Sequence, residues 1–160
     1  MSKAPAPRRA SPARQLSVHL SRATRRGWVP ATRALRCWAA HALGRKGHGR
    51  ELSVLVVGSA RSQSLNRRYR HRDYPTNVLS FAPAAPGPLL GDLVICPEVM
   101  QREAREQGKA VSAHWTHLVV HGALHLIGYD HGRPRDARRM ERREVRVMRS
   151  LGLPNPYRSR

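Results

Sequence analysis

Five of the nine histidines, His114, His117, His121, His125 and His131, fall in one largely apolar stretch. Imidazole ligates metals and exchanges protons near neutral pH, so spacing must separate these uses. His121 and His125 are four apart, project from one face of a helix and can share an ion. His131 is six residues further on, and at about 100° per residue a continued helix would carry it about 240° away from His125. The helix must therefore stop between them, and Gly128 is placed to stop it, because glycine takes the left-handed conformation cheaply and reverses the chain. His117 shares a face with His121, but about 12 Å of helix rise separates it from His125, whereas two nitrogens on one zinc cannot be much over about 4 Å apart. The predicted ligands are His121, His125 and His131, with His117 a hydrogen-bonding neighbour or substrate contact and His114 a surface residue. Three imidazoles and an open position are the ligand count of a catalytic zinc, one ion per chain, whereas a structural zinc takes four protein ligands. Nickel, copper and iron accept the same ligands. The plainer alternative is a set of satisfied core histidines.

The spacing His-x3-His-x5-His also belongs to metzincin-type metallopeptidases, in which the residue after the first histidine is the glutamate base. Here that residue is Gly122, so a peptidase would lack its proton acceptor. Asp130 is the nearest carboxylate in sequence, a candidate base or partner to an imidazole, or else a turn-capping residue.

A scaffold must bring these residues together. Leu16, Val18 and Leu20 alternate with polar neighbours and predict a strand, and residues 51–57 predict a second, stopped by Gly58. Between them Pro30 opens a helix with Leu35, Trp38, Ala39, Ala42 and Leu43 on one side, ended by Gly44 and Gly47. Ser59 is expected to cap a helix to about Tyr69. Residues 77–81 and 92–96 read as strands of a hairpin with a long Pro- and Gly-rich loop. Pro97 then starts a polar helix to about Gln107, Ser112 is expected to cap the most apolar helix, through Leu126, and a last, Arg-rich helix spans residues 134–151 on a stripe of Met140, Val147, Met148 and Leu151. Trp28, Trp38 and Trp115 are expected in the core. The fold class is α+β: a small mixed sheet of about four strands packed by about five helices in a single domain.

At 160 residues and 40% apolar composition the chain can build one core, which excludes wholesale disorder. No apolar run approaches the roughly 18 residues that span a bilayer, so a soluble protein with no membrane partner is expected. The formal charge of +20 is uneven: residues 1–50 carry twelve basic and no acidic residues, residues 51–131 eight and seven, and residues 132–160 ten and three. Two basic flanks around a nearly neutral centre suit a polyanion, and nucleic acid is the first partner to consider. Arginine outnumbers lysine twenty-seven to three, a bias that a GC-rich genome also produces, but codon bias does not explain the shortage of acid. Cys37 and Cys96 show no paired spacing, which favours a reducing cytoplasm. Residues 1–14 read as a disordered basic tail before a domain of residues 15–157, since their prolines oppose the amphipathic helix of a transit peptide.

The segment from His121 to His131 resembles the HGxLHLxGYDH signature of the YbeY-type endoribonucleases, or ribosomal RNA maturation factors. Residues 65–81, from Leu65-Asn66-Arg67-Arg68-Tyr69-Arg70 to Pro75-Thr76-Asn77-Val78-Leu79-Ser80-Phe81, are similar to that family's LNxxYRxxDxPTxVLSF stretch. Gly91 to Ile95 follows its GDIVI strand, and Met140, Glu141, Glu144 and Leu151-Gly152-Leu153 also fit. Cys96 stands where the family usually has serine, and the residues before about Arg14 are extra. The resemblance implies a single-strand-specific, metal-dependent endoribonuclease acting in 16S rRNA 3′-end maturation and ribosome quality control, cytoplasmic and monomeric, with ribosomal RNA and the small ribosomal subunit as partners. It implies zinc on His121, His125 and His131 and a functional arginine at Arg70.

A basic groove around such an ion suits a phosphodiester. Arg70 would stabilise the negative charge that builds on phosphorus, its planar fork matching phosphate, unless it is tied in a helix-end salt bridge with Asp73. Asp130 is the second catalytic candidate, and Arg67 and His117 are expected beside Arg70 as substrate contacts. Few aromatics argue against an RRM-like base reader. The alternatives are a ribosome-associated assembly factor whose metal holds the fold, or a metallopeptidase.

Overall fold

The computed structural model describes residues 15–158, so the basic tail expected over residues 1–14 lies outside the described residues. Four strands form one sheet in the order β1-β2-β4-β3: β1 (Ser17–Arg22), β2 (Glu51–Val56) and β4 (Leu89–Ile95) run parallel, and β3 (Val78–Phe81) pairs antiparallel with β4. Five α-helices accompany them: α1 (Thr32–Leu43), α2 (Ser59–Arg70), α3 (Pro97–Glu106), α4 (Val111–Leu126) and α5 (Pro134–Ser150). This is the α+β fold read from the sequence, and among the described residues no helix is long and apolar enough to cross a membrane.

Period-two alternation sends Leu52, Val54 and Val56 of β2 and Leu93 and Ile95 of β4 into the main core, where they meet Leu35 and Ala39 of α1, Trp115, Val119 and Leu124 of α4, and Met140 and Val147 of α5. The opposite face carries a smaller cluster of Val57, Leu79 and Val94, against which Leu65 of α2 and Phe81 pack. α4 touches α1, α3, α5, β3 and β4. A helix so surrounded has little solvated face, and polar side chains that it carries, His114, Thr116 and His117, are buried with the apolar ones.

Two glycines let α4 lie this close to the sheet. A Cβ on Gly122 would stand 2.7 Å from Leu93 Cδ2 and 3.2 Å from Ser80 Oγ, and one on Gly91, whose φ is +148°, would stand 2.4 Å from the Phe81 carbonyl oxygen and 2.6 Å from Leu126 Cδ2. The second closes the β3-β4 hairpin beside the C-terminal end of α4.

Several local expectations are corrected. α1 starts at Thr32, with Pro30 ahead of it. β4 begins at Leu89, shortening the hairpin loop to residues 82–88. Neither Ser59 nor Ser112 caps a helix: Gly58 and Ala110 hold those positions. The Ser59 backbone N–H instead donates to Glu98 Oε1 at 3.2 Å, so a carboxylate from α3 satisfies the start of α2. Trp115 is fully buried, Trp38 half-buried and Trp28 exposed, its ring edge-on to Trp115 with centroids 6.3 Å apart. His114 is buried, not at the surface. Its Nε2 lies 2.7 Å from Glu103 Oε2, and Asn77 Nδ2 donates to the same carboxylate. Burial pushes Glu103 up, but the hydrogen bonds from His114 and Asn77 win and hold it below its ordinary value.

Candidate metal centre

α4 ends as the glycine spacing requires. Gly128 has φ +97°, its N–H donates to the His125 carbonyl at 3.1 Å, and the Tyr129 N–H donates to the Leu124 carbonyl at 3.1 Å. This pair of bonds is the Schellman closure, and it turns the chain so that His131 comes back over the last turn of α4. The ring centroids of His131 lie 4.8 Å from those of His125 and 5.5 Å from those of His121. Asp130 Oδ1 accepts the His131 backbone N–H at 2.8 Å, and that bond holds the exposed carboxyl below its ordinary value. Its place is thus the turn that presents His131.

The ligand nitrogens of His121, His125 and His131 lie within 4.8 Å of one another. Nε2 of His121 and Nε2 of His125 face each other at 3.2 Å, against about 3.4 Å between two ligands of a tetrahedral zinc. The other side of the His121 ring is already committed: His121 Nδ1 lies 2.5 Å from Glu144 Oε1. With its proton held on Nδ1 by a carboxylate, His121 presents a lone pair on Nε2 toward His125. Burial, then the neighbouring His121 and His131, then Arg70, push His125 down to about 4, so it is neutral at pH 7. A proton on His125 Nε2 or a shared cation satisfies that lone pair at this distance, and the donor set fits a first-row divalent metal.

Glu144 is what the sequence reading did not single out as functional. It is completely buried, its other oxygen accepts the Tyr157 hydroxyl, and His117 Nε2 sits 3.5 Å from Oε1, too long for a good hydrogen bond. Burial pushes this carboxyl up, but the proximity of His117 and the hydrogen bonds from His121 and Tyr157 prevail and hold it at about 2. Tyr157 is pushed up by burial and by Glu144. A signal was available: Glu144 stands in the apolar stripe with Met140, Val147 and Met148, and a carboxylate on a buried face is a partner to something. His117 lies on the buried side of His121, where its burial holds it below its ordinary value, away from the open side of the cluster.

Arg70 belongs to α2, packed on the other face of the sheet, and its charge bears on His125. α2 ends where His71 takes the left-handed conformation (φ +58°), and the loop beyond is tied back by Asn66 Nδ2 to the Tyr74 carbonyl at 2.8 Å and by Ser62 Oγ to the Thr76 carbonyl at 2.8 Å. Tyr69 packs edge-on to Phe81 of β3, centroids 5.1 Å apart, so the end of α2 is held at the edge strand that α4 also touches. The alternative of an Arg70–Asp73 salt bridge is not formed: Asp73 accepts from Gln63 Nε2 at 3.0 Å, and among the described residues Arg70 has no ion pair. Arg67 is exposed on the same helix, and its carbonyl accepts the His71 N–H.

A family model described as endoribonuclease YbeY matches residues 29–152. A relative from Pseudomonas putida, strain W619, is 48% identical over 147 residues, covering 89% of this chain and 93% of its own. The chain belongs to the endoribonuclease YbeY family. A family member from Alkalilimnicola ehrlichii is 51% identical over 156 residues, covering 92% of this chain and 93% of that one. The solution structure of a Thermotoga maritima protein shares the fold, with a TM-score of 0.55 at 21% identity over 90% of this chain and 99% of that one. In this member of the family the residue after the first histidine cannot be a glutamate base, because Gly122 is pressed against Leu93 and Ser80.

Proposed function

We propose that this protein is a metal-dependent endoribonuclease of single-stranded RNA, acting in 16S rRNA 3′-end maturation and ribosome quality control in the cytoplasm, as a monomer working on the small ribosomal subunit. The observation that carries the reading is the pairing of an open three-histidine cluster with an unpaired arginine charge beside it. His121, His125 and His131 would hold the metal, zinc by ligand type and number, which when bound supplies a Lewis acid for phosphate and lowers the pKa of water.

The remaining chemistry belongs to the chain's own groups. Arg70 donates its planar fork to the non-bridging oxygens of the scissile phosphate, and its charge is worth most where negative charge builds during attack at phosphorus. Glu144 keeps a proton on His121 Nδ1, and Asp130 keeps the turn that aims His131. Arg67 extends the cationic edge of α2 for the adjoining phosphates. Tyr74, about half exposed after α2, offers a ring face to an unstacked base, and Tyr69, equally exposed, carries the Arg68 guanidinium 5.3 Å from its ring centroid. His117 acts from behind, against Glu144.

The test is cleavage of a labelled single-stranded RNA by purified protein with its metal content quantified, comparing wild type with His125→Ala and Arg70→Glu. About one metal per chain and loss of cleavage in both folded variants are expected. Intact RNA with metal-loaded wild type, or equal cleavage by the variants, overturns the catalytic assignment. The same variants in cells should accumulate 16S rRNA with unprocessed 3′ ends. An assembly factor with a purely structural metal predicts normal ends with a folded His121→Ala.

A further inference from the structure

α5 carries more positive charge than its packing uses. Arg143 Nη2 donates to the Ala42 carbonyl at 3.2 Å, and the Arg139 guanidinium lies 5.0 Å from the Tyr129 ring centroid, so both have local partners. Arg138, Arg142, Arg146 and Arg149 do not: all four are exposed, and among the described residues none is in an ion pair. At 3.6 residues per turn they follow one face of α5 for about 16 Å. Together with Glu141, Val145, Asn155 and Tyr157 they line an open groove of about 500 Å³. Four arginines on one face repel one another by a few tenths of a kcal/mol per adjacent pair in water, a cost that a polyanion in the groove would reverse.

Tyr157 ties this groove to the histidine cluster. Its ring is half exposed at the groove wall, while its hydroxyl is turned inward onto Glu144, the partner of His121. Two hydrogen bonds therefore lead from the groove to a predicted metal ligand. We propose that the groove along α5 is an exosite for the sugar-phosphate backbone of single-stranded RNA, with the Tyr157 ring as a platform for one of its bases. This deepens, and rests on, the ribonuclease reading. The observations favour RNA over an acidic protein surface, because four guanidiniums and a half-exposed aromatic ring line the groove, the pair of features that a charged backbone with unstacked bases uses.

The test uses the full chain, zinc-loaded, with Arg138, Arg142, Arg146 and Arg149 all changed to Gln. A control with equal charge loss elsewhere changes the exposed Arg25, Arg33, Arg36 and Arg45 to Gln. Binding of a fluorescein-labelled 20-nucleotide RNA carrying 2′-O-methyl groups is followed by anisotropy across salt concentrations, and cleavage of an unmodified hexanucleotide is measured alongside. The groove variant should flatten the slope of log K against log salt by about 2 to 3, at about 0.7 per lost phosphate contact on a single strand. Hexanucleotide cleavage should stay within about twofold of wild type, and the control should flatten the slope by less than about 1. Equal slopes in wild type and groove variant, or equal flattening in groove variant and control, overturn the exosite. So does unchanged RNA binding with lost retention on immobilised polyglutamate, which would mark a protein-docking face. If wild type fails to cut the hexanucleotide, the ribonuclease reading falls, whatever the binding slopes show.

Discussion

Replacing Glu144 by Gln keeps the volume of a completely buried side chain and one acceptor oxygen while removing its negative charge. The amide oxygen can accept the His121 Nδ1 proton at the position where the carboxylate oxygen now stands 2.5 Å away. The Tyr157 hydroxyl, rotating about its C–O bond, can turn to accept from the amide nitrogen. The variant should therefore fold, and because the site holds Glu144 ionised down to about 2, its metal-free form should be less stable than wild type at pH 7, the contribution of that charge being fully present above about pH 4.5. What it loses is charge assistance. A hydrogen bond to an ionised carboxylate is worth about 1.5–3 kcal/mol and one between neutral groups about 0.5–1.5, and the difference is felt as basicity at the other nitrogen of the His121 ring. Carboxylate partners of ligating histidines typically govern 10- to 100-fold in metal affinity, about 1.4–2.8 kcal/mol. We therefore expect the zinc Kd of Glu144→Gln, measured at pH 7 by competition with a chromophoric chelator, to rise by about that factor. Tyr157→Phe keeps the His121–Glu144 bond and should raise it by less than about fivefold. A Glu144→Gln protein that is folded and binds zinc as tightly as wild type would refute the reasoning, because His121 would then be oriented and tuned without the carboxylate.

Arg70→Ala should lower kcat on a short RNA by about 10²–10³ with KM changed far less, since its charge acts chiefly on the transition state; a proportional rise in KM with kcat intact would make it a binding residue only. Gly91→Ala should destabilise the fold by at least about 2 kcal/mol in urea titrations, because a Cβ there meets the Phe81 carbonyl and the φ of +148° is strained for alanine. Gly122→Ala should cost about 1–3 kcal/mol, as Leu93 must move aside, and Gly122→Glu should unfold the protein sooner than create a peptidase. Glu103 is held below its ordinary carboxyl value when folded, so its contribution to stability is fully present above about pH 4.5 and is lost as pH falls through the lowered folded value. Asn77→Ala removes two hydrogen bonds to that carboxylate and should flatten the acid limb of the urea midpoint below about pH 4.5. An unchanged limb would mean that Glu103 is not among the carboxylates that set it.

The three-histidine set was legible in the sequence because its geometry is local. Residues four apart on a helix share a face whatever the helix packs against, and a glycine three after the second histidine reverses the chain wherever it stands. The alternating strands and the apolar α4 were legible for the same reason: periodicities of 2 and 3.6 are set by the backbone. Expectations that depended on which group stands opposite went differently. Ser59 and Ser112 have the right type for caps, yet α2 begins on Gly58, with a carboxylate from α3 answering its N–H, and α4 begins one residue before Ser112. His114 was read as a surface residue, and packing of α4 against α3 buried it on Glu103 instead.

Arg70 lies fifty-five residues before His125 and on an element packed against the other face of the sheet, so only the edge strand β3, gripped by Tyr69 from one side and α4 from the other, brings its charge to the cluster. Glu144 is the clearest division between the two levels. The sequence by itself determined that a carboxylate would sit in an apolar helical stripe, because side-chain direction on a helix follows from position alone. Only the tertiary structure decided that this stripe faces His121 and Tyr157, because which helix faces which depends on how the whole core closes.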